Sequence, residues 1–133
     1  MPKPKRKTKL KPKTYIAAFL SVRNWTKAVD FYVAAFGATE TFRAPIGGVG
    51  RFTFGSSEFW VSEESPRHLN HAPESLGGTT ARLLLVVPDP DAAYARAVKA
   101  GAKVVNPVHE EHGWRFGRVV DPFGHHWEIA REL

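Results

Sequence analysis

From residue 15 onward the chain alternates short apolar runs with an amphipathic stretch, and it does so twice. Residues 15–22 (YIAAFLSV) form an apolar, aromatic-containing run that suits a buried strand, closed by the polar pair Arg23-Asn24. Asn24 is a good helix N-cap, and Trp25, Ala28, Val29, Tyr32, Ala35 and Phe36 then recur at spacings of three and four, the signature of one apolar helical face. Gly37 follows as the residue that ends the helix. Residues 39–43 read as a strand and 44–50 (APIGGVG) as a turn. Residues 51–54 and 58–62 read as a hairpin about Gly55-Ser56-Ser57.

Residues 63–79 are polar and rich in Pro, Gly, Ser and His, which predicts a linker or a lid. Then the first pattern returns. Residues 82–87 (RLLLVV) predict a buried strand. Asp89 with Pro90 predicts a helix start, Ala93, Tyr94, Ala97, Val98 and Ala100 supply its apolar face, and Gly101 stops it. Residues 103–108, 115–120 and 126–130 predict three more strands. An offset of 64 residues superposes Val22 on Val86, Ala28 on Ala92, Gly37 on Gly101 and Ala38 on Ala102. Each half is strand, helix and three strands, an internal repeat of a βαβββ unit.

The last strand follows the turn Asp121-Pro122-Phe123-Gly124. Period two sends His125, Trp127 and Ile129 to one face and His126, Glu128 and Ala130 to the other. The first set is fit to pack in a core. The second carries a carboxylate with an imidazole two residues before it, which predicts either an ion pair or a ligand site.

Charge changes the picture less than its total suggests. The net charge is +6, but residues 1–13 (MPKPKRKTKLKPK) hold seven of the 19 basic residues and none of the 13 acidic ones, leaving 12 basic against 13 acidic in the rest. A segment so basic, proline-rich and poor in apolar residues predicts a disordered arm, with at most weak nucleic-acid contact by counterion release. Residues 14–133 form the single folded domain: module one at about 15–63, the loop 64–79, and module two at about 80–131. Cysteine is absent, which excludes disulfides, thiolate metal sites and a cysteine nucleophile. No apolar run approaches the ~20 residues that cross a bilayer, and residues 1–13 lack the h-region of a secretory signal, so a cytoplasmic location without membrane contact is expected.

Five motifs in order support a family resemblance: residues 28–38 (AVDFYVAAFGA), 75–79 (SLGGT), 87–92 (VPDPDA), 100–102 (AGA) and 117–125 (GRVVDPFGH). Together with the repeat they resemble the vicinal-oxygen-chelate superfamily, the glyoxalase/bleomycin-resistance/dioxygenase group, in its glyoxalase-like branch related to phosphonate-operon proteins. The resemblance implies an α+β fold of duplicated βαβββ modules forming a cupped, barrel-like mixed sheet, and a homodimer, because members commonly pair modules between chains. It also implies that the metal-dependent members hold a divalent ion in the cup through His, Gln or Glu on the first and last strands of each module. Glu128 lies at the last-strand ligand position, with His126 beside it. Ala17 lies near the first-strand position, Arg82 near the fifth-strand one, and Phe59 or Trp60 at the fourth-strand one.

One carboxylate does not hold a catalytic divalent ion, and the loop histidines, His68 with His71 and His109 with His112, do not have the spacing of a zinc-protease helix. The aromatic residues predict a different use of the cup. Phe19, Phe52, Phe54, Phe59, Trp60, Trp114 and Phe116 fall on predicted strands, and alternate members must face inward. The expected site for a small, partly aromatic organic ligand is Phe59, Trp60, Trp114, Phe116 and His126, with Arg82, Arg118 and Glu128 orienting it, and with no cofactor. The alternative is a lyase, isomerase or dioxygenase with one divalent metal ion per cup on Glu128 and His126. A nucleic-acid binder acting through residues 1–13 is the third class. Whether the chain catalyses a reaction stays open at this level.

Overall fold

Local capping chemistry sets both long helices. Asn24 is extended, and its Oδ1 accepts from Lys27 N at 3.0 Å to start α1 (Trp25–Phe36), which stops at Gly37 in the left-handed conformation, φ 68°. Asp89 Oδ1 accepts from Ala92 N at 3.1 Å to start the third helix, α3 (Pro90–Ala100), with Pro90 in its first turn. Between them a short α2 (Pro73–Leu76) interrupts the polar segment. The computed structural model describes residues 13–133, so the expected basic arm lies, Lys13 apart, outside the described residues.

The strands are β1 (Ala18–Val22), β2 (Thr39–Arg43), β3 (Val49–Phe54), β4 (Ser57–Glu63), β5 (Arg82–Val86), β6 (Lys103–Glu111), β7 (Trp114–Val120) and β8 (His126–Glu132). They form two four-stranded mixed sheets, ordered β1-β4-β3-β2 and β5-β8-β7-β6. In each, the first strand of the module pairs parallel to the last, and the other pairings are antiparallel. The duplicated βαβββ organisation is therefore present. The sheets stay separate and do not close into a barrel. The first strand is shorter than its apolar run: it begins at Ala18, and Tyr15 and Ile16 stand exposed before it.

The core lies on one face of each sheet. Leu20, Val22, Phe52, Phe59 and Val61 come from the first sheet, and Leu85, Val119, Trp127 and Ile129 from the second. Tyr32 joins them: its ring has centroids of Phe52, Phe59, Phe36, Phe123 and Trp127 within 6.4 Å. Burying rings of this size contributes about 1.5–3 kcal/mol each, and the tilted and edge contacts add to that. Helix meets helix as well, where Arg96 Nε donates to the Ala34 carbonyl at 2.8 Å.

The segment after β4 is tied down, unlike a free linker. Glu64 Oε1 accepts from Ala72 N at 3.0 Å and from Ser75 Oγ at 2.7 Å. These two donors, the backbone one first, hold the Glu64 carboxyl below its usual range. Arg23 Nε also donates to Ser75 Oγ at 3.1 Å, so α2 is pinned to the end of β1.

Candidate binding face

Since alternate residues of β1, β3, β4, β5, β7 and β8 enter the core, the others define the opposite, open face. On the first sheet that face carries Phe19, Trp60, Glu58, Arg51 and Phe42. Phe19 and Trp60, register partners on β1 and β4, lie nearly parallel with centroids 5.8 Å apart and planes 14° apart. The Arg51 guanidinium sits 5.5 Å from the Trp60 centroid, and Phe42 meets the same indole at 5.9 Å. Phe19 is 58% and Phe42 43% exposed, so these rings form a platform open to solvent.

Glu58 borders the platform. Its Oε2 stands 3.9 Å from Arg51 Nε, while its Oε1 is buried without a hydrogen-bond partner. The Tyr15 phenol bonds to Glu58, and that bond, with the carboxylate charge behind it, raises the phenol above its ordinary range.

On the second sheet the open face is polar and charged. Arg118 Nη2 and Nε donate to Glu128 Oε1 at 2.8 and 3.3 Å, and Arg82 Nε lies 3.7 Å from the same oxygen. Arg82 pairs in register with His126 and Arg118 with Glu128, so all four side chains share this face. Trp114 and Phe116 follow by alternation, and Phe116 packs on the His109 ring at 4.6 Å. The His109 imidazole is held above its usual range, first by its bond to the Pro107 carbonyl and then by Glu111.

The structure thus brings Arg82, Arg118, His126 and Glu128 together and puts Trp60 on the open face of the other sheet. Phe59 does not belong with them. It turns into the core, 7% exposed, against Tyr32, Phe52 and Trp127, because β4 alternates with Phe59 and Val61 inward. That alternation makes Trp60 the open-face residue at this position and brings Glu58 onto the same face. Phe52 is likewise core. Phe42 is the ring that sequence reasoning missed.

Among the described residues no three His, Asp or Glu side chains converge as a ligand set. Glu128, the one carboxylate at an expected ligand position, is already engaged by two guanidinium groups, which disfavour a cation beside it.

Two βαβββ modules with open faces opposite a shared core define the class: a duplicated-module α+β protein with its candidate site on the sheets. Residues 15–129 match the model of the Glyoxalase/Bleomycin resistance protein/Dioxygenase superfamily, and the chain belongs to that superfamily. A Mycobacterium bovis protein, Mb0911c, is 36% identical over 127 residues, 89% of this chain and 83% of the relative. A gene product of Arabidopsis thaliana has a similar solved structure, with a TM-score of 0.73 and 32% identity over 90% of this chain and 99% of that one. TioX from Micromonospora sp. ML1 gives a TM-score of 0.71 at 28% identity, over 91% of this chain and all of its own.

Proposed function

We propose that this protein binds a flat, partly aromatic organic ligand on the open faces of its sheets, as a homodimer and without a resident metal ion. The observation that carries this reading is the Phe19–Trp60 stack with Arg51 over the indole. Rings held parallel at the surface leave a π-face and a cation for a planar guest, and a large ring left in water without a guest or partner is unfavourable. The same faces expose Leu84 and Val86 of β5, 59% and 55% accessible, which supports cover by a second copy.

The test is calorimetric titration of the full chain with 2-naphthol, a flat neutral probe. Saturable binding that weakens tenfold or more in Trp60→Ala is expected. Equal binding to wild type and Trp60→Ala would place the ligand elsewhere.

A further inference from the structure

We infer that the open face of the second sheet holds an oxyanion, so that the ligand carries a carboxylate or phosphate-type group. This rests on the reading that a small organic molecule binds here and adds the chemistry of its polar end. A cavity of about 370 Å³ is lined by Thr79, Thr80, Ala81, Arg82, Arg118 and His126. Two guanidinium groups line it, both paired with one carboxylate, Glu128, which leaves an excess positive charge at the cavity itself. Both groups crowd Glu128 Oε1, and neither is used up by it.

Arg118 directs Nε and Nη2 at that oxygen, which leaves Nη1. Arg82 lies at 3.7 Å through Nε alone, with its side chain 60% exposed, so its two terminal nitrogens are available as donors. His126, Thr79 and Thr80 line the same cavity. Forked donors, an imidazole and hydroxyls in one cavity are suited to a planar or tetrahedral oxyanion. Glu128 is then the counter-charge with which an incoming anion competes for the two arginines.

Full-length protein would be titrated by calorimetry with benzoate, phenylphosphonate, inorganic phosphate and neutral benzyl alcohol, while NMR follows the side-chain Nε–H signals of Arg82 and Arg118. At least one of the two aromatic anions should bind tenfold or more tighter than benzyl alcohol and shift both arginine signals. Which of the two binds tighter identifies the acidic group, and phosphate binding alone would mark an adventitious ion only and overturn the proposal. Arg82→Gln, a change at an exposed side chain, should weaken the anion tenfold or more. Glu128→Gln should strengthen it several-fold by removing the competing carboxylate, the reverse of what a metal-ligand role requires. Weaker anion binding in Glu128→Gln, or equal affinity for benzyl alcohol and both aromatic anions, would also overturn it. Loss of 2-naphthol binding in Trp60→Ala is read separately, so failure of the anion site is distinguishable from failure of the aromatic platform.

Discussion

Tyr32 Oη donates to Asp121 Oδ2 at 2.6 Å, a bond between α1 of the first module and the turn before the last strand, 89 residues away. Asp121 is 3% exposed and accepts three further bonds: Trp127 Nε1 on Oδ2 at 3.0 Å, and Phe123 N and His125 N on Oδ1, both at 2.9 Å. The buried carboxylate thus satisfies four donors and fixes both the turn and the indole. Asp121→Ala leaves those donors without their acceptor in a dry core. It should destabilise the fold by roughly 3–5 kcal/mol, whereas Tyr32→Phe, which removes one bond, should cost about 1–3 kcal/mol. Urea unfolding with an unchanged m-value measures both. A loss below about 1 kcal/mol for Asp121→Ala would show the network to be dispensable.

The same bond sets an alkaline limit. Burial first, and the neighbouring Asp121 carboxylate second, push the Tyr32 phenol well above its ordinary range. A raised folded-state pKa means that the stabilisation is complete below the unfolded phenol's pKa of about 10. It is lost as pH rises toward the folded value, because the unfolded chain then binds fewer protons. Tyr15 and Tyr94 are raised too, by the Glu58 bond and by burial respectively. The thermal midpoint of wild type should fall above about pH 10 more steeply than that of Tyr32→Phe. Parallel curves for the two proteins would assign the alkaline limit to the other tyrosines.

What the sequence made legible was local. Both helices run between caps readable as single residues, Asn24 to Gly37 and Asp89 to Gly101, and the offset of 64 holds for β1 against β5 and for the starts of β2 and β6. The last-strand alternation was legible too, and Trp127 and Ile129 are core. What failed depends on long-range register. β4 presents two adjacent aromatics, and which one packs is decided by α1 and β8, whose Tyr32 and Trp127 receive Phe59. Phe42 reaches the open face because a bulge between Glu40 and Phe42 shifts its pairing to Arg51, an extra residue that alternation does not anticipate. Asp121 looked like a turn residue and is one, but its burial comes from Tyr32, far away in sequence.

A packing device appears in both modules and gives a third prediction. A helix aromatic lies against a glycine of the third strand: Trp25 on Gly50 and Tyr94 on Gly117. A methyl group at Gly117 would meet Tyr94 Cε2 at 2.7 Å and Val108 N at 2.9 Å. Tyr94 cannot swing aside cheaply, because its hydroxyl donates to the carbonyls of Asn106 at 2.8 Å and Arg118 at 3.3 Å. Gly117→Ala should therefore cost about 1–3 kcal/mol through overpacking against the Tyr94 ring and the Val108 backbone. Gly117→Ala/Tyr94→Ala, which removes the ring contact and leaves the Val108 one, should cost less than the sum of the two single changes in a double-mutant cycle, and simple additivity would reject the Tyr94 clash.

The last prediction concerns assembly. β1 and β5 are edge strands of their sheets, and both present large apolar side chains outward: Phe19 at 58% exposure, Leu84 at 59% and Val86 at 55%. Exposed edges with apolar faces invite strand pairing or aggregation unless something covers them, and a second copy of the chain does so with closed symmetry. Light scattering should give a particle of about twice the 14.8 kDa chain mass. Leu84→Glu, placed where the side chain makes little core contact, should shift that particle to one chain while leaving its helix and strand content by circular dichroism unchanged. Wild type that scatters as a single chain at calorimetric concentrations would remove the homodimer, and a dimer insensitive to Leu84→Glu would move its interface away from β5.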